Sequence, residues 1–233
     1  MSEKDICTET LFSFAKSIEL YFQGCLSIDK IAESFLNSIA NDKSDCKKFI
    51  SQLGEVKIML DKDLEFFLSS DPAADSKEEI IKAYPGYRAN LYHRVVHVLS
   101  NLGYKVEARI ISEYAHFLTG IDIHPSAVIG CPFFIDHGTG IVVGETAVVG
   151  DYVKIYQGVT LGSLSLSKGS SLKGIKRHPT IGDHVTIYSG ASILGDITIG
   201  DNVTIGSNVF LLKSVPSDTK VVLSEPELVY LKK

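Results

Sequence analysis

The stretch TIGDHVTIYSGASILGDITIGDNVTIGSNVF, residues 180–210, decides the fold. Ile181, Ile187, Ile193, Ile199 and Ile205 recur at every sixth residue, and Leu211 continues the series. Val185, Ala191, Ile197, Val203, Val209 and Val215 form a second series at the same spacing. A helix would bring apolar residues back after about 3.6 positions and a simple strand after about 2. A period of six builds one short strand and one corner per repeat, and three repeats close a triangular coil of about 18 residues. Gly, Asn and Asp follow the aliphatics in IGDHVT, IGDNVT and IGSNVF, and they suit corners that need left-handed backbone. The sequence therefore predicts a parallel β-helix with its repeated aliphatics stacked in one core.

Towards the N-terminus, Ile123, Ile129, Ile135, Ile141, Ala147, Val153 and Val159 read as the same beat. It fails between Val159 and Pro179, which stand two positions further apart than one full coil allows. The segment SLSLSKGSSLKGIKRHP lies there, polar and glycine-bearing, with Lys168, Lys173, Lys176 and Arg177. It reads as a loop over 163–176 thrown out from one coil, and long loops on rigid scaffolds are commonly functional.

Before residue 120 the period is helical. Leu11, Phe12, Phe14, Ala15, Ile18, Leu20 and Tyr21 make one apolar face, and Ile31, Ala32, Phe35, Leu36 and Ile39 another. Further helices are expected near 45–68, 76–83, 87–101 and 104–118, broken at Pro85-Gly86, Gly103 and Thr119-Gly120. Glycine follows the same division, with 5 in residues 1–120 and 14 in 121–233. The expected organisation is an all-α unit over 1–120, a β-helix over 121–216 and a tail over 217–233.

Of the 233 residues 45% are hydrophobic and 22% charged, which is ordinary globular composition. The net charge is −5, with 14 basic and 18 acidic residues before position 121 and 9 and 10 after it. Neither part has the basic excess of a nucleic-acid binder. No apolar run of about 18 residues is present to span a membrane. The start, MSEKDICTET, has no apolar core of a secretory signal. Cys7, Cys25, Cys46 and Cys131 form no CxxC and read as reduced thiols, so the expected location is the cytoplasm.

Several polar residues stand out against this scaffold. The step from Asp122 to His137 is close to one coil, so a carboxylate can approach an imidazole on one edge and orient it as a general base. The plain alternative is a corner histidine with an incidental neighbour. Arg177 offers a planar fork for a carboxylate, and His178 can position a hydroxyl or amine; both also fit a solvated basic cluster. Asp71, before Pro72, reads first as a helix-boundary aspartate. His93 and His97 lie four apart on a helix but in HRVVH, without the glutamate of HExxH.

The run DIHPSAVIG, then IDHGTGIVVGETAVVGDYVKIYQGVTLG, then KRHPTIGDHVTIYSGASILGDITIGDNVTIGS, resembles bacterial serine O-acetyltransferases. The likeness is strong over 121–216 and extends more weakly from about 60, including DPAA at 71–74. It implies a left-handed parallel β-helix behind an N-terminal helical domain, forming homotrimers that commonly pair into hexamers, with the active site between neighbouring subunits. It implies acetyl transfer from acetyl-CoA to the hydroxyl of L-serine, without a metal, as the first step of cysteine biosynthesis. By this resemblance His137 is the general base, Asp122 its partner and His178 a second active-site histidine. Asp71 and Asp136 would hold the serine ammonium and Arg177 its carboxylate. Gly162, Ser163, Ser189, Ser207 and Lys213 would contact coenzyme A.

Cysteine, using the serine contacts, is an expected feedback inhibitor. Two departures stand against the family pattern. The loop after VTLG is longer than a GTGK-type loop, and the chain ends in Lys233 where many members carry the isoleucine that enters O-acetylserine sulfhydrylase. That complex is therefore not expected. The alternatives are a hexapeptide acetyltransferase for another small acceptor, a non-catalytic scaffold of the same fold, or a γ-type carbonic anhydrase. The last needs three zinc histidines, two of them five apart, whereas His178 and His184 are six apart.

Overall fold

A computed structural model describes residues 7–40, 42–164 and 174–224. Six helices come first: α1 (Thr8–Phe22), α2 (Ile28–Ser38), α3 (Lys43–Ser70), α4 (Lys77–Ala83), α5 (Pro85–Asn101) and α6 (Lys105–Thr119). Asp42 caps α3, its carboxylate accepting from the N–H groups of Ser44 and Asp45. Gly120 ends α6 in the left-handed conformation, φ 71°, which turns the chain into the first strand.

From there the backbone winds as a solenoid of short parallel strands in three sheets. The first sheet runs β1 (Asp122–Ile123), β4 (Val142–Val143), β7 (Thr160–Gly162), β10 (Ser192–Leu194) and β13 (Phe210–Leu211). The second runs β2 (Val128–Ile129), β5 (Val148–Val149), β8 (Thr180–Ile181) and β11 (Thr198–Ile199). The third runs β3 (Phe133–Asp136), β6 (Val153–Tyr156), β9 (Thr186–Ile187), β12 (Thr204–Ile205) and β14 (Lys220–Val221). Ile181, Ile187, Ile193, Ile199 and Ile205 stack inside with at most 1% exposure, as their spacing predicts. Each such burial contributes about 1.5–3 kcal/mol.

The register corrects the sequence reading in two places. Ile135 pairs with Ile155, but Ile141 precedes the Val142–Thr160 pair and so belongs to the row of Val159. The six-residue step from Ile135 to Ile141 thus crosses between two inward rows. Asp136 faces Tyr156, and the Gly158 N–H donates to Thr139 O, so His137 and Gly138 have no counterpart in the next coil. They are a two-residue insertion at the corner. The second place is the loop. Leu161 pairs with Val143 and Ile181 with Val149, so the corner between them, which takes six positions from Val143 to Val149, is greatly lengthened from Leu161 to Ile181. The whole insertion sits in that single corner, rather than being a two-residue excess spread over a coil. Lys168 and Lys173, within it, lie outside the described residues, as does the end of the tail with Lys233.

The helices dock on the first coil through α3, α5 and α6. A buried ion pair joins the two parts. Arg94 on α5 grips Asp63 on α3 with two hydrogen bonds of 2.7 and 2.8 Å, and also donates to Gly130 O at 3.1 Å. Asp63 in turn accepts the Phe133 N–H at 2.9 Å, and Asn90 donates to Phe133 O at 2.8 Å. No described helix is long and apolar enough to cross a membrane.

Candidate active site

The inserted corner residue His137 sits where the chain passes from the third sheet to the first. Its φ of 56° is left-handed and its side chain is 73% exposed, so the insertion pushes the imidazole out of the wall. Nε2 lies 3.7 Å from Asp136 Oδ1. Asp136 closes β3, and Asp71 follows α3, which packs on β3. Asp71 Oδ2 accepts the Tyr84 hydroxyl at 2.7 Å, and Oδ1 accepts the Ala73 N–H at 2.8 Å. The Tyr84 phenol is pushed up to about 12, first by that bond to Asp71, with Asp136 adding to the rise. Burial and then Asp136, Tyr188 and Asp71 raise the Tyr156 phenol. Asp71 and Asp136 are therefore both near enough to Tyr84 and Tyr156 to raise their phenols, and His137 adjoins Asp136.

Asp122 lies just past the corner that carries His137, where the Ile121 side chain packs against Gly138. It opens β1 on the outer row of the first sheet, in register with Val142, so this coil is two residues longer than a regular one. The step from Asp122 to His137 therefore falls short of a turn. No hydrogen bond joins Asp122 to His137 among the described residues, and the carboxylate beside the imidazole is that of Asp136.

Arg177 and His178 stand on the next edge, from the first sheet to the second. Arg177 Nη2 donates to Glu145 Oε2 at 2.5 Å, which holds the Glu145 carboxyl below its usual range. The Thr146 N–H donates to His178 Nδ1 at 3.0 Å, and Thr146 Oγ1 lies 2.8 Å from the same nitrogen. Nδ1 is thus an acceptor and the ring hydrogen is on Nε2. Burial first, then Arg177 and Lys176, lower the His178 pKa to about 4, so it is neutral at physiological pH. Such a ring donates to an oxygen and does not accept from an ammonium, which narrows its expected role to a hydroxyl or carboxylate. Gly144 makes room for it: a Cβ there would meet Nε2 at 2.2 Å. Gly144→Ala should displace the imidazole and lower kcat/KM of any reaction that uses His178 by about tenfold to 10²-fold with the fold retained. Steady-state kinetics beside circular dichroism check this.

The coenzyme A candidates divide between the same two edges. Ser189 and Ser207 stack on the His137 edge, their hydroxyls 3.3 Å apart. Gly162 and Ser163 lead into the inserted loop on the Arg177 edge, and Lys213 follows β13 there. Gly140, Gly158 and Gly190 lie one above another down the His137 edge, with Asn208 next in the column. One side of the triangle separates the edges, roughly 15–20 Å for five or six residues at about 3.3 Å each. A single amino acid does not span that distance within one chain.

The sequence missed Tyr84, Glu145 and Thr146. Glu145 and Thr146 fill the corner one coil before Arg177 and His178, a match hidden by the insertion. Three other histidines lie elsewhere. His93 is buried, the His97 Nδ1 meets Pro125 O at 2.8 Å, and His184 stacks on Tyr152 at 4.7 Å. His184 thus sits on the third edge, away from His178. No three His, Cys, Asp or Glu side chains among the described residues are grouped to hold a metal ion.

A hexapeptide solenoid with two polar edges defines a class, the hexapeptide-repeat transferases, and residues 178–213 match the bacterial transferase hexapeptide family (six repeats). Within it the relatives are consistent. The plasmid serine acetyltransferase of Synechococcus elongatus is 52% identical over 172 residues, covering 72% of this chain and 54% of that protein. The chain therefore spans about half the length of that relative. A serine acetyltransferase of Staphylococcus aureus is 49% identical over 69% of this chain and 72% of its own. Among solved structures, serine acetyltransferase isoform 3 of Entamoeba histolytica in complex with cysteine superposes with TM-score 0.82 at 36% identity, covering 100% of this chain and 86% of that one. The Brucella abortus enzyme in complex with coenzyme A gives TM-score 0.69 at 29% identity, over 91% and 94%. The chain belongs to the serine acetyltransferase family.

Proposed function

We propose that the protein transfers the acetyl group of acetyl-CoA to the hydroxyl of L-serine, giving O-acetyl-L-serine and coenzyme A for cysteine biosynthesis. The observation that carries this reading is the placement of His137, pushed out by a two-residue insertion beside Asp136. A serine hydroxyl is a weak nucleophile near neutral pH and needs a base within reach. His137 takes the hydroxyl proton as the oxygen attacks the thioester carbonyl. Asp136 stabilises the imidazolium, and Asp122 contributes from the adjoining sheet. His137 then returns the proton to the departing thiolate. Asp71 and Asp136 hold the ammonium, Arg177 exchanges Glu145 for the substrate carboxylate, and His178 donates through Nε2 to a substrate oxygen.

The separation of the two edges supports a site closed between copies. In a homotrimer the His137 edge of one copy faces the Arg177 edge of the next, and trimers pair through the helices. Gly162, Ser163 and Lys213 on one edge and Ser189 and Ser207 on the other then flank one groove for acetyl-CoA. The Entamoeba structure with cysteine supports cysteine as an inhibitor that occupies the same contacts. Thiol release from acetyl-CoA, followed with serine, homoserine, threonine and amino sugars as acceptors, tests the function. Serine-dependent release is expected; release with an amino sugar but not serine moves the reading to another acceptor.

A further inference from the structure

Tyr84 lies just before α5, in KAYPGY, and nothing in the chemistry above requires it. Its hydroxyl donates to Asp71 Oδ2 at 2.7 Å, while Oδ1 of the same carboxylate accepts the Ala73 N–H at 2.8 Å. Each carboxylate oxygen thus has one fixed donor from opposite ends of the α3–α5 linker. Both keep a second lone-pair site for a ligand cation. Asp71 is the residue after a 28-residue helix, in extended backbone, φ −106° and ψ 110°. Only these two bonds hold its side chain among the described residues. Phe67, which precedes it by one helical turn, packs edge-on against Tyr84 with ring centroids 6.4 Å apart. The phenol is therefore steered by an aromatic neighbour and anchored to the carboxylate. Asp136 lies near enough to raise the same phenol.

We infer that Tyr84 is a positioning residue that presets Asp71 for the ammonium of the acceptor amino acid, so that it sets acceptor affinity and selection for an α-amino group. This rests on the proposed serine site. The phenol stays a neutral donor throughout, with no proton transferred. A hydrogen bond to a charged group is worth more than a neutral one, and its loss leaves Asp71 free to leave the ammonium-binding rotamer.

The test is Tyr84→Phe, which keeps the ring and removes the donor. KM for serine should rise about tenfold, while kcat and KM for acetyl-CoA stay within about twofold and the melting temperature is unchanged. In an Asp71→Asn background the same change should add less than about twofold, because the two groups act as a unit. With 3-hydroxypropionate, which lacks the ammonium, wild type and Tyr84→Phe should perform alike. An unchanged serine KM, or an equal rise in the Asp71→Asn background, overturns the inference. If wild-type protein releases no thiol with serine, the functional reading itself fails and this inference falls with it.

Discussion

Replacing His137 with alanine is expected to lower the rate of the proposed serine acetylation by about 10²–10⁴-fold, the contribution of a positioned general base. The prediction follows from where the residue sits. His137 and Gly138 are an insertion into a repeat that closes without them, and the imidazole is 73% exposed with Asp136 3.7 Å away. Nothing in the core rests on it. Alanine at that corner removes no packing, and it keeps an L residue at the left-handed φ. Secondary structure and thermal stability should therefore stay as in wild type while kcat falls. Turnover near the wild-type rate would remove His137 from the mechanism and move the search for a base to the other edge.

The second large effect is on stability. Asp63→Ala should cost about 3–5 kcal/mol, because it strands a buried guanidinium. The side chains of Asp63 and Arg94 are 0% and 3% exposed, and the pair also serves Phe133 N–H and Gly130 O on the first coil. Losing the carboxylate thus unfastens α3 and α5 from the β-helix as well as from each other. Replacing both partners, as Asp63→Leu with Arg94→Met, should recover much of the loss, since a desolvated pair gains little over well-packed apolar groups. Urea denaturation at fixed protein concentration measures both. A cost below about 1 kcal/mol for Asp63→Ala would show that the pair is not the tie between the two parts.

Much of the fold was legible because the period of six has few alternatives. Ile181 to Ile205 recur without error, and the structure buries every one of them. The reading faltered where the chain departs from the repeat. His137–Gly138 hid inside an apparent step of six, because an insertion of two carries the count from one inward row to the other. The long loop hid its size for a similar reason. The candidate site residues were each visible, but their grouping was not. Spacing puts Asp122 near His137, but it does not show that the first coil is two residues longer than the ideal or that Asp136 stands beside the imidazole. Tyr84 was invisible because its partner Asp71 lies far back along the chain, across a helix end. Thr146, which fixes the tautomer of His178, precedes it by one coil that the inserted loop lengthens, and only the folded register makes them neighbours.

The central claim is that the active site closes between copies of the chain, with the base from one and the carboxylate-binding arginine from the next. Complementation tests it most directly. His137→Ala and Arg177→Ala chains, each nearly inactive alone, are co-expressed and purified as mixed assemblies. In a closed ring with random mixing, about a quarter of the interfaces join an intact His137 edge to an intact Arg177 edge. Thiol release should therefore recover to about a quarter of the wild-type rate per chain. A mixture no more active than its two parents would contradict the account and place both edges of each working site on a single chain.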